Sequence, residues 1–291
     1  MTSRPPVVFV LASNYSGSHL LASALGAHPR CADVGELRNL RKFSSRPGRN
    51  ASGTEAAYAA SPLFAGLTDR PETCWHAEVL ERLRGEDPTV AVLVDNSKRL
   101  DWVGRLVASD TVEARCVHLL RDPRALARRW RDTFGSAGST RRIRLREARR
   151  SWRAAPAILT GPEMRVYAYR WLREQRAIGD FLDRRFPGAP RIAYEELVAD
   201  PGAALTSLMP RLGLAFDPAQ LAYGRAPQYG TRKPAWEAVR AASAWDADLR
   251  WRTETSAEER AAVEGVAPLG ALLARFGYTM GDRGLVRTAA P

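Results

Sequence analysis

The residues Leu11-Ala12-Ser13-Asn14-Tyr15-Ser16-Gly17-Ser18-His19-Leu20-Leu21 follow the apolar run Val7 to Leu11 and lead into a helical pattern that reaches Ala27. A strand, a loop of small residues and a helix start, in that order, aim backbone N–H groups at one point and add the positive end of the helix dipole. Such a junction attracts an anion. Asn14, Tyr15, Ser16, Gly17, Ser18 and His19 are therefore candidate anion-binding residues. A triphosphate-binding loop reads GxxxxGK[ST], but here Ala12 stands at the first glycine, Ser18 at the lysine and His19 at the magnesium-holding hydroxyl. Magnesium–triphosphate chemistry is disfavoured, and a less charged terminal group suits the loop. Taken alone, the segment fits an ordinary strand-to-helix turn as well.

Three further segments end apolar runs with residues able to handle charge. Val117 to Leu120 runs into Arg121-Asp122-Pro123-Arg124, where Asp122 is placed to cap a helix that Pro123 begins. Arg121 then projects at the carboxyl edge of a strand, where ligands of open α/β sheets sit, unless it only pairs with Asp95. Leu93-Val94-Asp95-Asn96-Ser97-Lys98 places at a strand end one of only three lysines in the chain, the others being Lys42 and Lys233. A compact ammonium there stabilises developing negative charge, or is simply solvated. Asp33-Val34-Gly35-Glu36-Leu37 offers a carboxylate after a glycine turn, suited to general-base work or to a capping role. His28, His76 and His118 lack metal-ligand spacing, and no metal site is expected.

These residues need a scaffold that brings strand ends to one edge. β-branched apolar runs at Val7 to Leu11, Val90 to Val94, Arg115 to Leu120 and Arg191 to Tyr194, each followed by turn residues and helical periodicity, predict buried parallel strands with crossover helices. The fold class is α/β, three layers with a central parallel sheet flanked by helices. Residues 1–291 read as a single domain, with 43–69 a mobile loop able to cover a substrate and 279–291 a flexible tail. Gly138 to Phe186 reads as helical and rich in arginine, with Trp152, Tyr167, Tyr169, Trp171 and Phe181 as packing residues. Ser256 starts a last amphipathic helix that Gly277 ends.

The net charge of +12 favours anionic partners without choosing among phosphates, sulfates and nucleic acid. Cys31, Cys74 and Cys116 form no CxxC pair, which fits a reduced, cytoplasmic setting and no zinc site. The N-terminal apolar run is too short for a signal-peptide core or a membrane span.

Together these segments resemble the sulfotransferases that use 3′-phosphoadenosine 5′-phosphosulfate (PAPS), particularly bacterial ones with a P-loop-like fold. Ser16-Gly17-Ser18-His19-Leu20-Leu21 is similar to their [RK]-S-G-[ST]-[ST]-x-L loop, with Tyr15 where the family has Arg or Lys and His19 where it has a hydroxyl. Asp95-Asn96-Ser97-Lys98 resembles the Asp-Ser-Ser-Lys signature, and Tyr194-Glu195-Glu196-Leu197 with Asp200-Pro201 resembles Y-E-[DE]-L-x-x-[DN]-P. The resemblance implies PAPS as sulfuryl donor, held by the loop and by Arg121 on the 3′-phosphate, with Arg129 at the position of a helping serine. It further implies Tyr194 near the adenine, Arg232 and Lys233 as a late basic clamp, and Lys98 beside the transferred group. Many members carry a histidine two residues after that lysine; Leu100 stands there. The resemblance implies Glu36 as the base, at the place where bacterial and tyrosyl-protein members carry a glutamate, with Asp33 and His19 as reserve candidates, and as acceptor a hydroxyl of a small molecule, glycan or natural product. A catalytically inactive nucleotide-binding protein of the same fold is the main alternative. A basic nucleic-acid-binding protein is disfavoured because no helix-turn-helix, zinc-finger or RNP pattern is present.

Overall fold

The computed structural model describes residues 4–45, 55, 58, 60–227, 229 and 234–288. Five strands form one parallel sheet: β1 (Pro6–Ala12), β2 (Cys31–Asp33), β3 (Val92–Asp95), β4 (Glu113–Leu120) and β5 (Arg191–Ala193), in the order β2-β3-β1-β4-β5. β1 lies at the centre, with Phe9 opposite Asp95 on β3 and Leu11 opposite His118 on β4. All five carboxyl ends therefore emerge along one edge, which is where the charged segments begin.

Side-chain alternation along β1 explains its uninterrupted apolar sequence. Val7, Phe9 and Leu11 face one layer, with Trp75, Trp102 and Leu182. Val8, Val10 and Ala12 face the other, with Leu21, Leu25, Leu197 and Leu205. Burial on both faces is what a central parallel strand requires. A third apolar cluster joins Leu120, Trp130, Tyr167 and Trp171 to Leu269, Phe276 and Tyr278.

The three-layer α/β architecture is as expected, and several details differ. Tyr167 and Trp171 are buried packing residues, but Trp152 is 71% exposed. Within 43–69, the described Phe43, Tyr58, Leu63, Phe64 and Leu67 are buried against the first core. The last helix is broken in two, Ala257–Glu264 and Ala267–Arg275, because Pro268 near the start of the second lacks the N–H that a continuous helix needs. Ser256 does cap the first of them. Residues 279–288 are not a tail: β6 (Tyr278–Gly281) and β7 (Gly284–Arg287) form an antiparallel hairpin. Buried Leu285 and the contacts of Tyr278 Oη and Arg287 with Glu196, at 2.7 and 2.8 Å, hold it in place.

Candidate functional site

The loop after β1 is shaped by two left-handed residues, Tyr15 (φ 72°) and Gly17 (φ 85°). At Gly17 a side chain is excluded twice over, since a Cβ would lie 2.4 Å from the Tyr194 ring. The following helix, Ser18–Gly26, begins without a capping side chain and without an acidic residue in its first turn. Its N–H groups and dipole thus remain directed at the loop. Ser13 is tied back by Glu174 Oε2 (2.7 Å) and Gln175 Nε2 (2.9 Å), which fixes the loop's entry to the long helix Glu163–Arg185.

Glu36, Lys98 and His19 converge beside this helix start. Lys98 Nζ lies 2.5 Å and His19 Nε2 3.3 Å from Glu36 Oε1, while Asn39 Nδ2 donates to Glu36 Oε2 at 2.9 Å. Asn96 Nδ2 lies 3.0 Å from His19 Nδ1, so with the amide donating, the ring proton sits on Nε2 and faces the carboxylate. Burial would raise the Glu36 carboxyl, but the Lys98 charge and the His19 hydrogen bond outweigh it and hold the group well below the usual carboxylate range.

Both turns presenting these groups are braced from below. Asp33 Oδ1 accepts from the N–H of Gly35, and Gly35 itself has φ 69°. Asp95 takes Ser97 N–H, His76 Nε2 and Trp102 Nε1 at 2.8, 3.0 and 2.8 Å, fixing the turn in which Lys98 adopts φ 61°. Asp95 is therefore spoken for, and the alternative pairing of Arg121 with it does not occur.

Arg121 lies instead against the loop. Its Nη1 donates to the Tyr15 carbonyl at 2.8 Å, its Nη2 pairs with Asp248 at 3.1 Å, and its guanidinium stacks 4.3 Å over the Tyr194 ring. Hydrogen bonds from Arg250, and then the charge of Arg121, hold the Asp248 carboxyl well below its ordinary range against the opposing effect of burial. Tyr194 is buried between Gly17 and Arg121, with its hydroxyl on the backbone of Asp246 and Asp248. Arg129 is exposed and stands 5.0 Å over the ring of Tyr15. A cation thus occupies the neighbourhood of the loop position where Tyr15 supplies none.

The structure brings the loop Asn14 through His19, Glu36, Lys98 and Arg121 to one sheet edge; Arg232 and Lys233 lie outside the described residues. Ser16 Oγ, Asn96 Oδ1 and Arg121 Nε are buried with no hydrogen-bond partner among the described residues. Three orphaned polar atoms around one loop mark a place built for a polar ligand or water. His118 pairs with Gln175 at 2.7 Å, and burial lowers its imidazole to about 3, so it is a neutral core residue. No group of three or more potential metal-ligating side chains occurs among the described residues.

Sequence reasoning passed over Asn96, Glu174 and Asp248. Asn96 sat inside a quoted motif and its role was accessible there; Asp248 lies in a segment with no pattern to flag it.

One edge of the α/β sheet thus carries a lysine-free loop at a helix start, a carboxylate–lysine pair and an arginine at a neighbouring strand end. Residues 6–218 match the sulfotransferase family, and the chain belongs to that family. Its fold is similar to the sulfotransferase domain from the curacin biosynthetic pathway, at 20% identity and a TM-score of 0.54, covering 91% of this chain and 99% of that one. It is also similar to the sulfotransferase domain from the Synechococcus PCC 7002 olefin synthase, at 20% identity and a TM-score of 0.52, covering 92% and 96%. No curated protein matches the chain in sequence.

Proposed function

We propose that the protein transfers the sulfuryl group of PAPS to a hydroxyl of a small-molecule, glycan or natural-product acceptor, releasing adenosine 3′,5′-bisphosphate. The observation that carries this reading is the convergence of Glu36, Lys98 and His19 on the open helix start at Ser18. The 5′-phosphosulfate belongs at the loop, where the orphaned Ser16 hydroxyl and the helix N–H groups are offered. The 3′-phosphate belongs at Arg121, whose fork of donors is now shared between Tyr15 and Asp248.

In the transfer, the acceptor oxygen bonds to sulfur as the sulfur–oxygen bond to the phosphate breaks, and Glu36 receives the hydroxyl proton. A carboxylate tied to Lys98 is a weak base. Lys98 gains a better partner in the bridging and sulfonate oxygens, and its departure from Glu36 raises that carboxyl toward the basicity the step needs. Arg129 over Tyr15 contributes positive potential where related loops have a cation in the chain itself.

A mass-based sulfation assay on a panel of hydroxylated acceptors, run with wild type, Glu36→Gln and Lys98→Ala, tests the proposal. Turnover in wild type that collapses in both variants supports it. Binding of adenosine 3′,5′-bisphosphate with no turnover on any acceptor points to the inactive nucleotide-binding alternative, for which the Tyr15 substitution and the Asp248 partner of Arg121 are the favouring observations.

A further inference from the structure

The segment 141–153 carries seven arginines and one glutamate, a net +6 out of the chain's +12. The helix Ala137–Arg150 turns Ile143, Glu147 and Ala148 inward. Its single acid is thereby buried and taken by Arg173 at 2.9 Å. Outward, at helical spacing, stand Arg142, Arg146, Arg149 and Arg150, continued past the helix end by Arg153. Arg141, Arg142, Arg149 and Arg153 have no carboxylate within ion-pairing distance among the described residues.

Apolar tips are set among these charges. Trp152 is 71% exposed, Leu145 44% and Leu159 45%, and these three are half of the six large hydrophobic residues exposed among the described ones. Arg150 lines two adjoining concavities, one of about 320 Å³ with Leu145 and one of about 480 Å³ with Trp152, so the charges and these two apolar tips share one face, and Leu159 is joined to the same helix through its carbonyl, which accepts from Arg144 Nη1 at 3.3 Å. Arg153 stacks 5.1 Å from the Trp152 ring.

We propose that this face docks on an anionic lipid bilayer, with Trp152, Leu145 and Leu159 entering the headgroup layer and the arginines meeting lipid phosphates. A soluble polyanion answers the charge but leaves three apolar side chains in water. A bilayer offers a negative surface above an apolar layer, which matches both components, and arginine stems span the two. Tryptophan is at home at that depth. The face lies outside the cluster at Glu36, so the inference stands apart from the transfer reaction. No helix of the described residues is long and apolar enough to cross a membrane, and surface docking requires none.

Co-sedimentation of the full chain with vesicles of phosphatidylcholine containing phosphatidylglycerol, and with phosphatidylcholine vesicles alone, tests this. Binding to the anionic vesicles alone is expected, falling as salt rises toward 0.5 M or so. Arg149→Glu combined with Arg153→Glu is expected to weaken it roughly tenfold or more, the paired lysine substitutions to retain it, and Trp152→Ala to weaken it severalfold with an unchanged circular dichroism spectrum. Equal binding to neutral vesicles, no vesicle binding, or binding to heparin or duplex DNA without vesicle binding overturns the proposal.

Discussion

Glu36 illustrates how a residue's partners decide what it can do. Three donors fix its carboxylate in place and make it a poor proton acceptor in the free protein. If it serves as the base, Glu36→Gln lowers turnover by about 10²–10⁴ and leaves nucleotide affinity nearly unchanged, since the amide keeps the shape and loses the proton acceptor. Parallel measurement of kcat and of nucleotide dissociation separates this from a structural defect. Asp248 has the reverse relation to its partner, because it holds donors of Arg121 that a phosphate would use. Asp248→Asn is expected to tighten adenosine 3′,5′-bisphosphate by about two- to tenfold, read by calorimetry; weaker binding would show that Asp248 orients Arg121 rather than competing for it.

At the scale of elements, the turns that present these residues are strained and braced. Gly17→Ala combines an unfavourable φ with a clash against Tyr194, and is expected to cost about 1–3 kcal/mol of stability and to displace the loop, visible as a lower Tm and weaker nucleotide uptake. Asp33, under the Gly35 turn, is pushed up by burial from 3.8 to about 6. A carboxyl with a raised folded value stabilises fully below its unfolded value and loses that contribution as pH rises through the folded one. Between pH of about 4 and 6 the wild type should therefore lose up to about 3 kcal/mol that Asp33→Asn retains, so the Tm difference between the two grows with pH across that window. Four of the five strands of the parallel sheet, the cap at Asp122 and the helix start at Ser18 were legible because each has a local signature: apolar runs, Asp-Pro, small residues before a helix. Asp95 as a brace, and the break of the last helix at Pro268, were not anticipated, since the first depends on long-range contacts with His76 and Trp102 and the second on weighing one proline against an otherwise continuous pattern.

For the whole molecule, the sheet order sets β2, β3, β1 and β4 side by side, and that adjacency unites residues from positions 36, 98, 15 and 121 at one edge. The sequence patterns indicated the layers; the resemblance to sulfotransferases supplied which strand ends belong together, and periodicity by itself could not. The terminal hairpin was missed because its strands are four residues each and half exposed, with too little alternation to read. It closes the third apolar cluster, so Leu285→Ala is expected to cost about 2–5 kcal/mol in chemical denaturation, and a cost near zero would show that the hairpin is an appendage.

In the proposed function the Ser16–His19 turn and Arg121 hold one nucleotide, with Arg121 taking its 3′-phosphate. Calorimetric titration of wild type and Arg121→Ala with adenosine 3′,5′-bisphosphate and with adenosine 5′-monophosphate tests it most directly. Wild type should prefer the bisphosphate by about tenfold or more, and the variant should lose that preference while binding the monophosphate as before. Failure of wild type to take up the bisphosphate, or a preference that survives in the variant, would contradict it.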